Sequence, residues 1–191
     1  MNKQIQKTRE KAVKMLLSTV GDVSEREGLL ETPHRVAKMY DEIFEGYSQN
    51  PKEILSKTFE EDGVVDTVDK GMVIVKDIDF YSHCEHHMVP FIGKVHIGYI
   101  PGTKVVGLSK LCRLVNCFAH RLQVQERLGQ QIADAIMEYL EPSGVMVVIE
   151  AQHLCMKMRG VKNATSHTVT SCIRGAFMQD ETRKEFMSLI K

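Results

Sequence analysis

The chain has 191 residues, and its 25 Lys and Arg balance its 25 Asp and Glu, for a formal net charge of zero. That balance argues against a general nucleic-acid or membrane-surface binder, although it leaves room for a local basic pocket. No apolar run approaches bilayer-spanning length, no apolar signal region follows Met1-Asn2-Lys3-Gln4, and the five cysteines are unevenly spaced, so a reducing, cytoplasmic setting is expected.

The length suits one main domain with a small appendage. Residues 3–20 read as an amphipathic helix, with Ile5, Ala12, Val13, Leu16, Leu17 and Val20 at roughly helical spacing and Gly21 as the stop. A second helix starts with Thr32 as N-cap and Pro33 in its first turn. Its stripe Val36, Met39, Tyr40, Ile43, Phe44 and Tyr47 is read as packing. Residues 48–70, with Pro51 and the acidic run Glu60-Glu61-Asp62, read as a linker with at most short structure. The organisation expected is an N-terminal helical segment over 1–50 and one compact unit over 51–191.

Strand character begins at Met72 and runs to Tyr81. A second strand, Phe91 to Ile100, alternates Val95, Ile97 and Tyr99 with Lys94, His96 and Gly98 before the turn at Pro101-Gly102. Two helices follow, one capped by Ser109 and one from Val124 to Leu140, ending before Pro142-Ser143-Gly144. A strand then carries Val145, Val147, Ile149, Ala151, His153 and Cys155 on one face. Another runs from about His167 to Phe177, with Val169, Ile173 and Phe177 inward, and a short helix starts at Thr182. Strand pairs separated by a helix pair fit an α+β fold: an antiparallel sheet with a helix pair on one face, preceded by N-terminal helices.

Between the first two strands lies Ser82-His83-Cys84-Glu85-His86-His87, read as a loop. Cys84 and His87, three residues apart, can turn toward one point, and Cys155 can close on it from afar. Two thiolates and an imidazole are a zinc inventory. His153 is either the fourth ligand of a closed structural site or a proton carrier beside an open one. Lys110 and Arg113 share a face near the start of a helix, where a phosphate is well placed, and Arg159 adds a third cation. Gln125-Glu126 opens the next helix; the carboxylate can accept the paired N–H groups of a guanine edge or simply favour the helix dipole.

Taken together, Glu31-Thr32-Pro33-His34-Arg35-Val36-Ala37-Lys38-Met39, Cys84-Glu85-His86-His87, Gly107-Leu108-Ser109-Lys110 with Arg113, Gln123-Val124-Gln125-Glu126-Arg127-Leu128 and His153-Leu154-Cys155 with Arg159-Gly160-Val161 resemble the motifs of GTP cyclohydrolase I. The resemblance runs in order from about residue 29 to the C-terminus. It implies the tunnelling fold and an enzyme that opens the imidazole ring of GTP at C8, releases formate and recloses the product as 7,8-dihydroneopterin triphosphate. It also implies Zn2+ on Cys84, His87 and Cys155, with His86 and His153 as acid–base groups. Gln125 and Glu126 would then read guanine, Ser109 would lie near ribose and phosphates, and Lys110, Arg113 and Arg159 would neutralise the triphosphate. Family members assemble as homo-oligomers, decameric toroids with shared active sites. Two positions depart from the family pattern: His83, where Met or Thr is more usual, and Leu122, where proline commonly precedes Gln-Val-Gln-Glu.

Overall fold

The computed structural model describes residues 3–21, 26–60 and 71–191; the rest of the expected linker, with Glu61 and Asp62, lies outside these. The chain divides into two compact units, Met1–Glu45 and Gly46–Lys191.

The first unit is helical: α1 (Lys3–Thr19), the single turn α2 (Glu27–Leu30) and α3 (Thr32–Ile43). Helices α1 and α3 pack through Val13 and Ala37, and the Arg9 guanidinium reaches Asp41 at 2.6 Å and the Ala37 carbonyl at 3.3 Å. Gly21, at φ +82, ends α1 in a conformation a side chain would resist. Two expectations need correction. The N-cap of α3 is Glu31, and Thr32 sits one position inside with its hydroxyl turned back to the Gly28 carbonyl. The apolar stripes are also only partly covered: Leu16, Val20 and Met39 are exposed.

The second unit opens with α4 (Pro51–Leu55), which Asn50 caps by accepting the Lys52 N–H at 3.0 Å. Strand β1 (Thr58–Glu60) pairs with β4 (Lys104–Val106) in a small ribbon too short for sequence periodicity to reveal. The main sheet contains β2 (Val73–Cys84), β3 (Pro90–Ile100), β5 (Leu122–Gln123), β6 (Gly144–His153) and β7 (Thr168–Gly175), in the order β5-β2-β3-β6-β7. All neighbours are antiparallel except β5, which runs parallel to β2, so the sheet is mixed at one edge.

Helices α5 (Leu108–Ala119) and α6 (Gln125–Leu140) cover one face. Their buried stripes, Leu111, Leu114, Val115 and Leu128, Ile132, Ile136, meet the inward strand residues Phe80, Phe91, Val95, Ile97, Val147 and Ile149. Each such side chain contributes about 1.5–3 kcal/mol when fully buried. The other face is covered at one end by α8 (Asp180–Leu189), whose Phe186 packs edge-on against Phe177 beside Met146 and Val148. Gly98 leaves room for this contact, since a Cβ there would stand 2.5 Å from the Phe186 ring. On β7, Cys172 faces the main core and Ile173 the second cluster, while Val169, expected inward, is 60% exposed. Val169 shares its face with Ile173, but it pairs with the exposed Glu150 beyond the end of that face which α8 covers, so alternation places it on the right face without burying it. The result is an α+β fold. No helix among the described residues is long and apolar enough to cross a membrane.

Candidate active site

Strand β2 runs further than its sequence suggests. Ser82, His83 and Cys84 belong to its end, and only Glu85-His86-His87 form the turn. Cys84 closes that turn from both sides of its backbone: its N–H donates to the Val89 carbonyl at 3.0 Å, and its carbonyl accepts the Met88 N–H at 2.8 Å. Met88 takes φ +54, unusual for a side chain of its size and tolerated here because both turn bonds hold it. The Glu85 N–H donates to the Gln123 carbonyl at 3.0 Å, which ties the turn to β5. Along that ladder His83 stands opposite Leu122, so the two positions that depart from the family pattern are direct neighbours. Having an N–H where proline has none, Leu122 donates to the Tyr47 hydroxyl at 3.1 Å.

Cys155 does not lie on β6, as the odd-numbered pattern suggested. The strand ends at His153, and Cys155 sits in the one-turn helix α7 (Leu154–Lys157). This turn brings its sulfur to the β2 loop: ligand atoms of Cys84, His87 and Cys155 all lie within 4.8 Å of one another. Cys84 Sγ and His87 Nδ1 are 3.8 Å apart. Bond lengths of about 2.3 Å to sulfur and 2.0–2.1 Å to nitrogen give tetrahedral edges of roughly 3.4–3.8 Å, which the Cys84–His87 separation matches, and the three residues together form a group able to hold a metal ion. Burial and the neighbouring Cys84 sulfur push the Cys155 thiol above its ordinary range, with Arg159 opposing.

His153 is not among the converging ligand atoms, which speaks against a closed four-ligand site. Its ring stacks on Phe91, 4.7 Å between centroids and 3° from parallel, a contact set by the register that pairs the two residues across β3 and β6. Nε2 of His153 lies 2.8 Å from Gln125 Oε1. Burial lowers the pKa of His153, and Glu126 works against that shift. His86 is exposed, its Nδ1 3.8 Å from Cys84 Sγ.

Gln125 and Glu126 occupy the first turn of α6, as expected, but face different ways. Glu126 is exposed and lines a cavity of about 370 Å³ with Gln130, Thr170, Ser171 and Arg174. Gln125 is 1% exposed, and its amide is turned inward. Gln125 is expected at the guanine together with Glu126; its side-chain amide is bonded within the protein at both ends. Arg159 lies 3.2 Å from His87 Nε2 and donates to the Cys155 carbonyl at 3.3 Å. Lys110 and Arg113 project from α5, whose N-cap is Gly107; Ser109, expected as the cap, is one residue inside the helix and exposed. Among the described residues neither cation nor Ser109 bonds to the Cys84, His87 and Cys155 cluster.

The profile of the GTP cyclohydrolase I family matches residues 9–191. The chain belongs to this family. It is 58% identical over 183 residues to GTP cyclohydrolase 1 of Desulforamulus reducens and 55% identical over 183 residues to that of Wolinella succinogenes, with 95% of each chain covered in both comparisons. Against GTP cyclohydrolase 1 of Thermobifida fusca it is 54% identical, over 95% of this chain and 86% of that one. Among solved structures, an apo archaeosine synthase QueF-like protein superposes on 58% of this chain at 15% identity with a TM-score of 0.47, too slight a likeness to carry an argument.

Three site features escaped the sequence reading. Phe91 stacks on His153, Arg127 on α6 pairs with Glu85 inside the metal turn, and the Gln125 amide points into the protein. Only Arg127 left a trace in the sequence, as part of the Gln-Val-Gln-Glu-Arg-Leu run. The other two depend on strand register and rotamer.

Proposed function

We propose that this chain is a zinc-dependent GTP cyclohydrolase that opens the imidazole ring of GTP at C8, releases formate and recloses the product as 7,8-dihydroneopterin triphosphate. The observation that carries this reading is the convergence of Cys84, His87 and Cys155, with His86 beside Cys84 Sγ, in a chain of this family. Two sulfurs and one nitrogen are a donor set that zinc favours. What such an ion supplies, held by three protein ligands, is a water whose pKa falls to about 7.

The protein's own groups do the rest. C8 lies between two nitrogens and becomes a good electrophile once N7 is protonated, and imidazoles are suited to carry that proton. His86, exposed on the turn, and His153, held at the end of β6, are assigned this work. Glu126 accepts the N1–H and exocyclic amine of guanine, in the first turn of α6 where a carboxylate also suits the dipole. Gln125 stands beside it in the first turn of α6 and is grouped with it at the base. Ser109, Lys110 and Arg113, in the first two turns of α5, receive ribose and phosphates, and Arg159 completes the charge neutralisation. The reading extends to the tunnelling fold, catalysis by residues 51–191, a decameric homo-oligomer with shared sites and a cytoplasmic location.

Comparing GTP with guanosine on metal-loaded protein tests the substrate assignment. GTP should be converted far more efficiently. Equal turnover would remove the role given to Lys110, Arg113 and Arg159.

A further inference from the structure

We propose that Gln125 is a positioning residue for His153: its side-chain amide fixes the orientation of that imidazole and takes no part in reading the base. The inference rests on the cyclohydrolase reading for the role of His153 and on geometry for the rest.

Gln125 is the first residue of α6, yet it is buried. One end of its amide lies 3.0 Å from the Ile149 carbonyl, 3.1 Å from the Thr168 carbonyl and 3.1 Å from the Thr170 hydroxyl. Two carbonyls accept and never donate, so this end must be the NH2 group. The other end is therefore the carbonyl oxygen, and it faces His153 Nε2 at 2.8 Å. An oxygen with no proton to give can only accept, so Nε2 carries the hydrogen. The assignment follows from fixed main-chain acceptors on β6 and β7, not from a free choice of amide orientation.

Two restraints then act on one ring. Phe91, stacked 3° from parallel, sets the plane of the imidazole. A stack alone would tolerate a half-turn flip that puts a ring carbon where each nitrogen had been. The Gln125 oxygen forbids the flip, because the inverted ring would present a carbon to it. Nδ1, for which no protein partner is found among the described residues, is left as the nitrogen available to substrate. This arrangement also accounts for an amide that would otherwise be expected on guanine: its NH2 group is spent on Ile149, Thr168 and Thr170 and its oxygen is turned to His153, so the amide is held by the protein at both ends.

The test replaces Gln125 by Met, which keeps volume and length but cannot reproduce the amide's bonds to Ile149, Thr168 and His153. On metal-loaded protein, Gln125→Met should lower kcat roughly 10–100-fold, the usual effect of losing a group that orients a functional imidazole, while KM for GTP changes by less than about threefold. A large rise in KM with kcat preserved would overturn the proposal and restore Gln125 to the base. So would an unchanged kcat. Should Gln125→Met not fold, the tautomer decides the matter in the wild-type chain. Solid-state nitrogen NMR of histidine-labelled protein, with the His153 signals assigned by their loss in His153→Ala, should find neutral His153 protonated on Nε2; protonation on Nδ1 would overturn the inference. If the wild-type protein does not turn over GTP, the functional reading fails, and the same tautomer measurement still accepts or rejects the role of Gln125.

Discussion

The imidazole of His153 lies flat on the ring of Phe91, 4.7 Å away and 3° from parallel, at the point where β3 and β6 leave the core. Phe91 is fully buried, so the ring that supports a candidate proton carrier is itself part of the hydrophobic core. Replacing it by Leu removes a stacking contact worth about 0.5–1.5 kcal/mol beyond burial. We expect a modest loss of stability and, because the plane of His153 is freed, a fall in kcat of roughly tenfold with KM little changed. Thermal melts alongside steady-state kinetics check this; loss of stability without loss of kcat would make the stack purely structural.

The proposed roles of the residues around Cys84 can be separated by mutation. Cys84→Ala and Cys155→Ala each remove one of three donors and should leave protein with little bound metal and no turnover. His86→Ala should keep the metal and lose turnover, by about 10²–10⁴-fold for an acid–base group. Elemental analysis beside an activity assay distinguishes them, and metal loss in His86→Ala would move that residue into the ligand set.

Glu85 sits in the turn between Cys84 and His87 and pairs with Arg127 on α6, so the turn is tied to the helix that carries Glu126. Both side chains are more than a third exposed or close to it, at 33% and 41%, so the pair should add well under about 1 kcal/mol to stability. Its effect should appear in the placement of the turn. Arg127→Ala is expected to leave the melting temperature nearly unchanged and to weaken metal retention roughly 10-fold in a chelator competition. Unchanged retention would reduce the pair to a surface contact.

Much of this was legible in the sequence, and the remainder was not for identifiable reasons. The helices α5 and α6 and the strands β2, β3 and β6 follow from periodicity, because each buries one clear face. The identities of Cys84, His87 and Cys155 were readable from residue chemistry and spacing. That Cys155 would sit on a turn of helix was not: strand alternation carries through to it in sequence, and only the end of the β3 ladder at Phe91 and His153 stops the strand. The caps at Thr32 and Ser109 were misplaced by one or two positions because helix starts are set by backbone geometry, and Glu31 and Gly107 supply it without a side-chain bond. The parallel β5, two residues long, leaves no periodic signal at all.

His96 offers a pH-dependent test of the fold away from the metal. It is 4% exposed, and its Nδ1 accepts the Asp77 N–H at 3.2 Å, across the bulge where β2 slips register between Val75 and Ile78. Burial lowers its pKa from 6.5; Asp77 and Glu150 oppose the shift, and Lys94 and Lys76 add to it. The unfolded chain thus takes up the proton first as pH falls. Stability from this group is complete above about 6.5 and declines as pH drops below that value. His96→Gln, which keeps an acceptor, should flatten the slope of stability against pH below about 6.5. Parallel denaturation curves with the same slope in both proteins would exclude His96 as its source.

The most direct measurement is made on purified protein of known metal content, incubated with GTP while the pterin chromophore and formate are followed together. The account predicts that both appear in equal amounts, that a chelator stops them and that restored zinc revives them. Bound metal with neither product formed would contradict it.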